Sequence, residues 1–317
     1  MAGPLGERAS LPAIEGRFLL PRFWGIWVAA GLLRLMSLLP YAGRVILGGV
    51  IGRGLFLIMG RRRRIAQVNL SLCFPEMSEQ RRARLLREHF ESLGIALVEM
   101  GAAWWAPDHR LEGLVTVRGR EHLETALARG RGAILMSAHF TSLEMGLRLM
   151  SREQYGYAVY RPQNNALLDV LIQRGRLRVR GGLIARDDIR GLLAALKANH
   201  PVWYPPDQDY GRRHSVFADF FRQPAATITT TARFARMSGA AVVPFYYHRL
   251  PGFRGYEVVM HPPLEDFPTG DPVADARRQN AVLEEEIRRS PAQYLWIHRR
   301  FKTRPPEQPD VYAGDPR

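Results

Sequence analysis

Apolar residues crowd positions 23–42, FWGIWVAAGLLRLMSLLPYA, with Trp24, Trp27 and Tyr41 placed where interfacial aromatics sit. The stretch is about as long as the ~20 residues needed to cross a bilayer. Arg34 lies inside it. At the centre of a bilayer such a charge costs about 2.5–3.5 kcal/mol on insertion scales. The pattern therefore admits two readings, a single span or an interfacial helix whose arginine reaches for the headgroups. No small-residue cleavage site follows, so the stretch does not read as a removed signal peptide. A second apolar stretch, 45–60, carries Arg53 and runs into Arg61, Arg62, Arg63 and Arg64. Positive charge on this side predicts that the bulk of the chain faces the cytosol. The arginine run itself reads as a solvated helix end or as a contact with anionic headgroups.

Beyond Pro75 the period of the pattern becomes that of a globular fold. Ser78 as an N-cap, followed by Leu86, Phe90, Leu93 and Leu97 at helical spacing, predicts an amphipathic helix over 78–100, with Trp104 and Trp105 entering the core or the membrane surface. Short apolar runs predict strands at 133–137, 156–160 and 202–204, and Asp187-Asp188 caps a helix carrying Ile189, Leu192, Leu193 and Leu196. Residues 227–237 read as a helix closed by Gly239, 242–247 and 256–260 as a hairpin turning at Pro251-Gly252, and 272–289 as a polar helix. The alternation predicts an α/β fold with a mixed central sheet flanked by helices and an N-terminal membrane-anchor helix. Three regions result: an anchor with its basic segment at 1–64, one large domain at 65–305, and a proline- and charge-rich tail at 306–317, expected to be flexible.

Composition adds a partner class. The 317 residues hold 45 Lys and Arg against 30 Asp and Glu, a formal charge of +15. That excess calls for a polyanionic partner: nucleic acid, an acidic membrane surface or an acidic substrate. Cys73 is the only cysteine, which excludes an internal disulfide and a cysteine-based zinc site and fits a reducing compartment.

The candidate chemistry sits at Ser137-Ala138-His139-Phe140-Thr141-Ser142-Leu143-Glu144, a histidine at the end of a predicted strand and a carboxylate at the start of the next helix. Ligands of open α/β sheets bind at that end of the strands. Across a strand-to-helix turn the two side chains can meet, so Glu144 is expected to fix the imidazole tautomer while His139 acts as a general base. A histidine followed by an acid at this spacing also arises by chance. No G-x-S-x-G elbow is present and Cys73 has no catalytic-looking histidine nearby, so covalent serine or cysteine catalysis has no candidate.

Ordered short motifs run nearly the length of the chain: Asn69-Leu70-Ser71-Leu72-Cys73-Phe74-Pro75, His139 to Glu144, Tyr160-Arg161-Pro162-Gln163-Asn164-Asn165, Arg174-Gly175-Arg176, Pro206-Asp207-Gln208-Asp209-Tyr210-Gly211, and Trp296-Ile297-His298-Arg299-Arg300-Phe301-Lys302. In these the chain resembles the lipid A biosynthesis lauroyltransferases, the late acyltransferases of the lysophospholipid acyltransferase superfamily. The resemblance implies a glycerol-phosphate-acyltransferase-like fold and a single-pass inner-membrane enzyme with its acyltransferase domain on the cytoplasmic side. Such an enzyme would take an acyl chain from acyl carrier protein and esterify a hydroxyl on an acyl chain of an anionic, Kdo-bearing lipid A precursor. It implies no cofactor and no divalent metal.

By the same resemblance His139 and Glu144 form the catalytic pair and Arg176 stabilises negative charge on the carbonyl oxygen. The bland reading of Arg176 is a surface arginine in the basic run 174–180. Arg161 and Asn164 are candidate acceptor-binding residues or parts of a turn. Asp207, Gln208 and Asp209 are assigned to substrate binding and bracing of the site. The two aspartates also read as turn-closing groups or partners of arginines such as Arg212. His89, His214, His248 and His261 have no partner spacing and read as ordinary core or surface residues. Competing functions remain a myristoyl-type lipid A transferase, a glycerophospholipid acyltransferase, and a non-catalytic basic membrane protein. The basic C-terminal WIHRRFK segment is assigned to structure or anionic lipid rather than nucleic acid, and oligomeric state is not readable from the sequence.

Overall fold

In the computed structural model, which describes residues 10–153, 156–177 and 181–313, the apolar N-terminus forms two helices, α1 (Trp24–Met36) and α2 (Tyr41–Ile58). The expected continuous segment 23–42 is broken at 37–40, where Pro40 supplies an extended residue that starts the second helix. The second of them, Tyr41–Ile58, is long and apolar enough to be a candidate membrane helix. Helices α3 (Gly60–Cys73) and α4 (Glu79–Trp105) follow, the latter started by the Ser78 hydroxyl accepting the Arg81 N–H at 3.3 Å.

The remaining chain alternates: β1 (Val115–Arg118), α5 (Arg120–Leu127), β2 (Ala133–Met136), α6 (Leu143–Glu153), β3 (Tyr157–Tyr160), α7 (Ala166–Leu177), β4 (Gly182–Ala185), α8 (Ile189–Lys197) and β5 (Pro201–Tyr204). It continues with β6 (Ser215–Phe220), β7 (Gln223–Ile228), α9 (Thr230–Ser238), β8 (Ala241–Arg249), β9 (Tyr256–Met260) and α10 (Pro272–Arg289). Seven strands form one sheet in the order β1-β9-β8-β2-β5-β3-β4. Its pairs are parallel except the β8–β9 hairpin, so the sheet is mixed as expected. Strand β2 is buried at all four positions, as a strand covered on both faces must be.

Two expectations change. Residues 223–228 belong to a strand of the β6–β7 hairpin, and the helix predicted from 227 starts at Thr230, still closed by Gly239 at φ 73°. The tail beyond Pro305 is held in place: Tyr312 is 3% exposed, its hydroxyl donates to Asn69 Oδ1 at 2.5 Å, and it accepts the Phe301 N–H. Residues 314–317, like 1–9 of the anchor region and 178–180 of the basic run, lie outside the described residues.

Helix α4 organises the packing. Its Glu99 pairs with Arg249 of β8 at 2.6 Å and accepts from the Tyr256 hydroxyl, a charge buried with its partners. On another face it meets α2 at glycines: a Cβ at Gly48 would overlap the Ile95 Cα, one at Gly52 the Phe90 carbonyl, and one at Gly94 the α2 backbone. Backbone thus lies on backbone over the middle of both helices. Replacing Gly48 by leucine should force the helices apart and lower unfolding stability by about 1–3 kcal/mol, read as a reduced melting temperature in detergent. An unchanged melting temperature would mean that α2 is not packed on α4.

Candidate active site

Parallel register creates the site. Met136 of β2 pairs with Tyr204 of β5, and the two chains leave the sheet together, Ser137 donating its N–H to the Tyr204 carbonyl at 3.1 Å. Three residues beyond each strand end stand His139 and Asp207. Asp207 takes the His139 backbone N–H on Oδ2 at 3.0 Å and the ring Nδ1–H on Oδ1 at 2.7 Å. Because the carboxylate can only accept, the proton sits on Nδ1 and the lone pair on Nε2. Burial would raise the Asp207 carboxyl, but the adjoining imidazole and the hydrogen bonds from His139 hold it below the ordinary aspartate range. The His139 side chain keeps 21% exposure against 2% for Asp207, so the histidine can meet substrate and the aspartate cannot.

The loop carrying His139 is fixed from the other side by the C-terminal segment. Leu295 donates its N–H to the His139 carbonyl at 2.9 Å and Thr141 donates to the Gln293 carbonyl at 2.7 Å. The Thr141 hydroxyl shares a 2.7 Å hydrogen bond with Ser92 of α4.

Glu144 takes a different partner from the one expected. In the first turn of α6 it receives Arg176 of α7 through Nε at 3.1 Å and Nη2 at 2.5 Å, and the Trp104 indole N–H at 2.9 Å. Burial opposes its ionisation, while the Arg176 charge and these hydrogen bonds bring its carboxyl below the usual glutamate range. The imidazole is therefore oriented by Asp207, and Glu144 orients a guanidinium. Arg176, only 18% exposed at its side chain, is not the surface arginine of the bland reading. Tyr247 of β8 lies between the two pairs: it feels the charges of Asp207, Glu144 and Arg176, and its hydroxyl donates to the Ala138 carbonyl at 3.2 Å.

Glu144, Arg176 and Trp104 line a narrow cavity of about 30 Å³, together with Arg148 and with small or apolar residues: Ala103, Leu147, Met150, Ala158, Leu183 and glycines 156, 175, 181 and 182. Gly175 lies against the Trp104 ring and Gly182 against that of Tyr157, so side chains there would fill the space. The wall thus sets apolar residues beside the Glu144–Arg176 pair and Arg148, in a space too small as it stands for a hydrocarbon chain.

The other predicted residues divide. Arg161 and Asn164 are exposed beyond β3, and Arg161 lies close enough to the Tyr210 phenol to act on it together with Asp207 and Arg186. Gln208 is half-buried between two buried aspartates. Asp207 and Asp209 are not in a position to bind substrate. Asp209 spends both oxygens on the Gly211 N–H and on the Thr303 N–H and hydroxyl, tying its loop to the C-terminal segment. Its own N–H donates to His298 Nε2 at 3.2 Å. Asp207 as the partner of His139 was hidden in the sequence by a separation of 68 positions; pairing the two predicted strands side by side was the available signal. Trp104 and Tyr247 carried none.

Burial pulls the His298 imidazole to about 4, and that of His89, whose Nδ1 donates to the Ala292 carbonyl, to about 4 as well. Both stay neutral in the folded state, whereas an unfolded histidine protonates near ~6.5. Between these values the unfolded chain binds more protons, so stability falls as pH drops from about 6.5 to about 4, by about 1.4 kcal/mol per pH unit for each histidine. His298→Gln, which keeps an acceptor for Asp209, should remove roughly half of that slope in denaturant midpoints measured across this range. An unchanged slope would show that His298 titrates normally in the folded protein.

Comparison with known proteins identifies the family. The family model for bacterial lipid A biosynthesis acyltransferases matches residues 12–303. The chain is 43% identical to the lipid A biosynthesis lauroyltransferase of Escherichia coli K12 over 304 residues, 96% of this chain and 99% of the relative. It is likewise 43% identical to the palmitoleoyltransferase of the same organism over 296 residues, covering 93% of this chain and 96% of that one. Identity to the E. coli myristoyltransferase is 30%, over 95% of this chain and 94% of the relative. Matched nearly end to end, with the HFTSLE histidine and its buried aspartate at the head of the sheet, the chain belongs to the bacterial lipid A biosynthesis acyltransferase family.

Proposed function

We propose that the protein transfers a fatty acyl chain from an acyl carrier protein thioester to a hydroxyl on an acyl chain of a Kdo-bearing lipid A precursor, at the cytoplasmic side of the inner membrane. The observation that carries this reading is the 2.7 Å His139–Asp207 hydrogen bond at the carboxyl end of the sheet, with the histidine accessible and the aspartate enclosed. His139 Nε2 takes the proton of the acceptor hydroxyl as its oxygen attacks the thioester carbonyl, and Asp207 offsets the charge of the imidazolium. The intermediate then collapses, the carbon–sulfur bond breaks, and the imidazolium returns its proton to the leaving thiolate. Acceptor and donor are both consumed without a covalent enzyme intermediate.

Arg176 is the group that meets the negative carbonyl oxygen, a task suited to a fixed guanidinium. Glu144 acts as its positioning residue, since it aligns Arg176 through two donors. The acyl chain enters along the narrow cavity beside this pair, which has to widen to admit it. Arg161 and Asn164 at the exposed rim serve the anionic headgroup of the acceptor. Equal identity to a lauroyl and a palmitoleoyl transferase leaves chain length to the depth of that cavity.

The test is mass spectrometry of Kdo-bearing tetra-acylated precursor incubated with purified protein and a panel of saturated and unsaturated acyl carrier protein thioesters. One mass gain matching one donor is expected, laurate first. His139→Ala should lower kcat about 10²–10⁴-fold with the fold intact. Glu144→Gln should lower turnover while leaving the pH profile of the histidine in place, which Asp207→Asn should shift. No gain with any thioester, but gain with acyl-CoA and a lysophospholipid, would replace the assigned substrates; no turnover with either pair would leave the non-catalytic reading.

A further inference from the structure

The outer ridge of α1 is apolar and uncovered. Trp24, Val28, Leu32 and Leu35, one per turn, are between 50% and 63% exposed, and Leu19, Leu20 and Leu38 extend the ridge at its ends. Ile46 and Val50 of α2 are exposed as well. An uncovered apolar ridge of this kind marks a membrane or protein contact. Arg17 and Arg22 border it ahead of α1 and the run Arg61, Arg62, Arg63, Arg64 follows α2, on a chain with a formal charge of +15. Apolar ridge and basic border together match an anionic lipid leaflet.

How deep the chain enters is decided by what the helix ends touch. At the start of α1, Phe18 and Phe23 pack on Leu167 and Leu171 of α7, and Arg174 donates to the Pro12 carbonyl at 2.7 Å. At its end, Leu33 meets Gly101 of α4, and Arg34 donates to the Trp105 carbonyl at 3.1 Å, in the last turn of α4 where a cation complements the helix dipole. The same holds for α2. Tyr41 at its start donates to the Gly255 carbonyl at 3.2 Å in the β8–β9 turn, Arg44 is 3% exposed, and Phe56 near its end packs edge-on against Phe90 of α4 with ring centroids 5.5 Å apart. Arg62, four residues past α2, donates to the Ile297 carbonyl. Both ends of both helices therefore touch one domain, which carries the sheet and its charges. A helix that crossed the bilayer would have to leave that domain at one end.

We infer that the protein is monotopic: α1 and α2 lie in a single leaflet of an anionic bilayer and no described helix crosses it. Length agrees for α1, whose 13 residues reach about 20 Å, against about 30 Å of hydrocarbon. The position of Arg34 follows as well, since it caps α4 instead of facing lipid. Because α1 rests on α4 and α7, which bear Trp104, Gly175 and Arg176, this arrangement sets the cavity beside the leaflet, where lipid chains can reach it laterally. The inference does not depend on the acyl donor or acceptor.

Cysteine labelling tests it in the intact protein. Gly16→Cys ahead of α1 and Gly60→Cys after α2 are placed where a side chain meets nothing within 4 Å; Glu121→Cys reports the domain, and Cys73, 2% exposed, provides the blank. In right-side-out and inverted membrane vesicles, a membrane-impermeant maleimide should label all three introduced cysteines from one and the same face. Labelling of Gly16→Cys or Gly60→Cys from the face opposite to Glu121→Cys overturns the proposal. Nitroxides at Val28→Cys and Ile46→Cys, in vesicles of zwitterionic and anionic phospholipid, should become more accessible to oxygen and less to a nickel chelate than in the lipid-free protein. Unchanged accessibility, or protection accompanied by spin–spin broadening between copies, also overturns it, the latter pointing to a second chain as the occupant.

Discussion

The hydrogen bond between His139 and Asp207 depends on the parallel pairing of β2 with β5, and much of the architecture serves to keep that pairing in register. Each residue stands three positions beyond a strand end, so a slip of one residue between the strands would move the carboxylate off the ring and turn alternate side chains to the opposite face. The sheet resists such a slip because β2 is central, paired on its other edge with β8 through Met136 and Pro244. From β8 comes Tyr247, which touches the loop of His139 at Ala138 and packs its ring over Gly146 of α6. The imidazole is thus placed by three adjacent strands, more rigidly than a loop alone could place it.

Charge burial explains why the carboxylate of the HFTSLE motif does something else. Glu144 is enclosed, and an enclosed carboxylate must find donors or lose its charge. Arg176 and Trp104 supply three, which leaves the glutamate ionised and the guanidinium held in one orientation. Had Glu144 been the partner of His139, Arg176 would have been left without its counter-ion beside an apolar cavity. Two separate pairs, His139 with Asp207 and Glu144 with Arg176, solve both problems and meet at Tyr247.

Local patterns in the chain reveal a good deal of this. The Ser78 cap and helical period of α4, the apolar runs of β2, β3 and β5, the Gly239 stop of α9 and the β8–β9 hairpin all follow from neighbours a few residues apart. His139 and Arg176 were visible through the motifs that carry them. The missed features have long-range or unusual local causes. Asp207 acts through strand register. The β6–β7 hairpin turns on Phe221 and Arg222 at positive φ of 51° and 60°, with no glycine or asparagine to announce it. Tyr312 anchors a tail whose composition reads as loose, because one aromatic finds Asn69 across 243 residues. At the N-terminus, hydropathy concealed the break that Pro40 imposes.

Helix α4 links the exposed apolar ridge of α1 to the loop of His139. Along one side it offers Gly94 and Gly101 to the backbones of α2 and α1; along another it offers Ser92 to Thr141 in the HFTSLE loop, Glu99 to Arg249 on β8, and Trp104 to Glu144. Arg249 also donates to Ser92 at 3.2 Å, so the buried ion pair and the loop share one hydrogen-bonded chain. Glycine contacts leave no flexible side chain to absorb a displacement, and a buried ion pair tolerates little separation. Any shift of α1 and α2 relative to the domain is therefore passed to α4, and from there to both the loop that holds His139 and the indole that holds Glu144. The position of the site relative to the apolar ridge of α1 is set by the same rigid contacts that set its geometry.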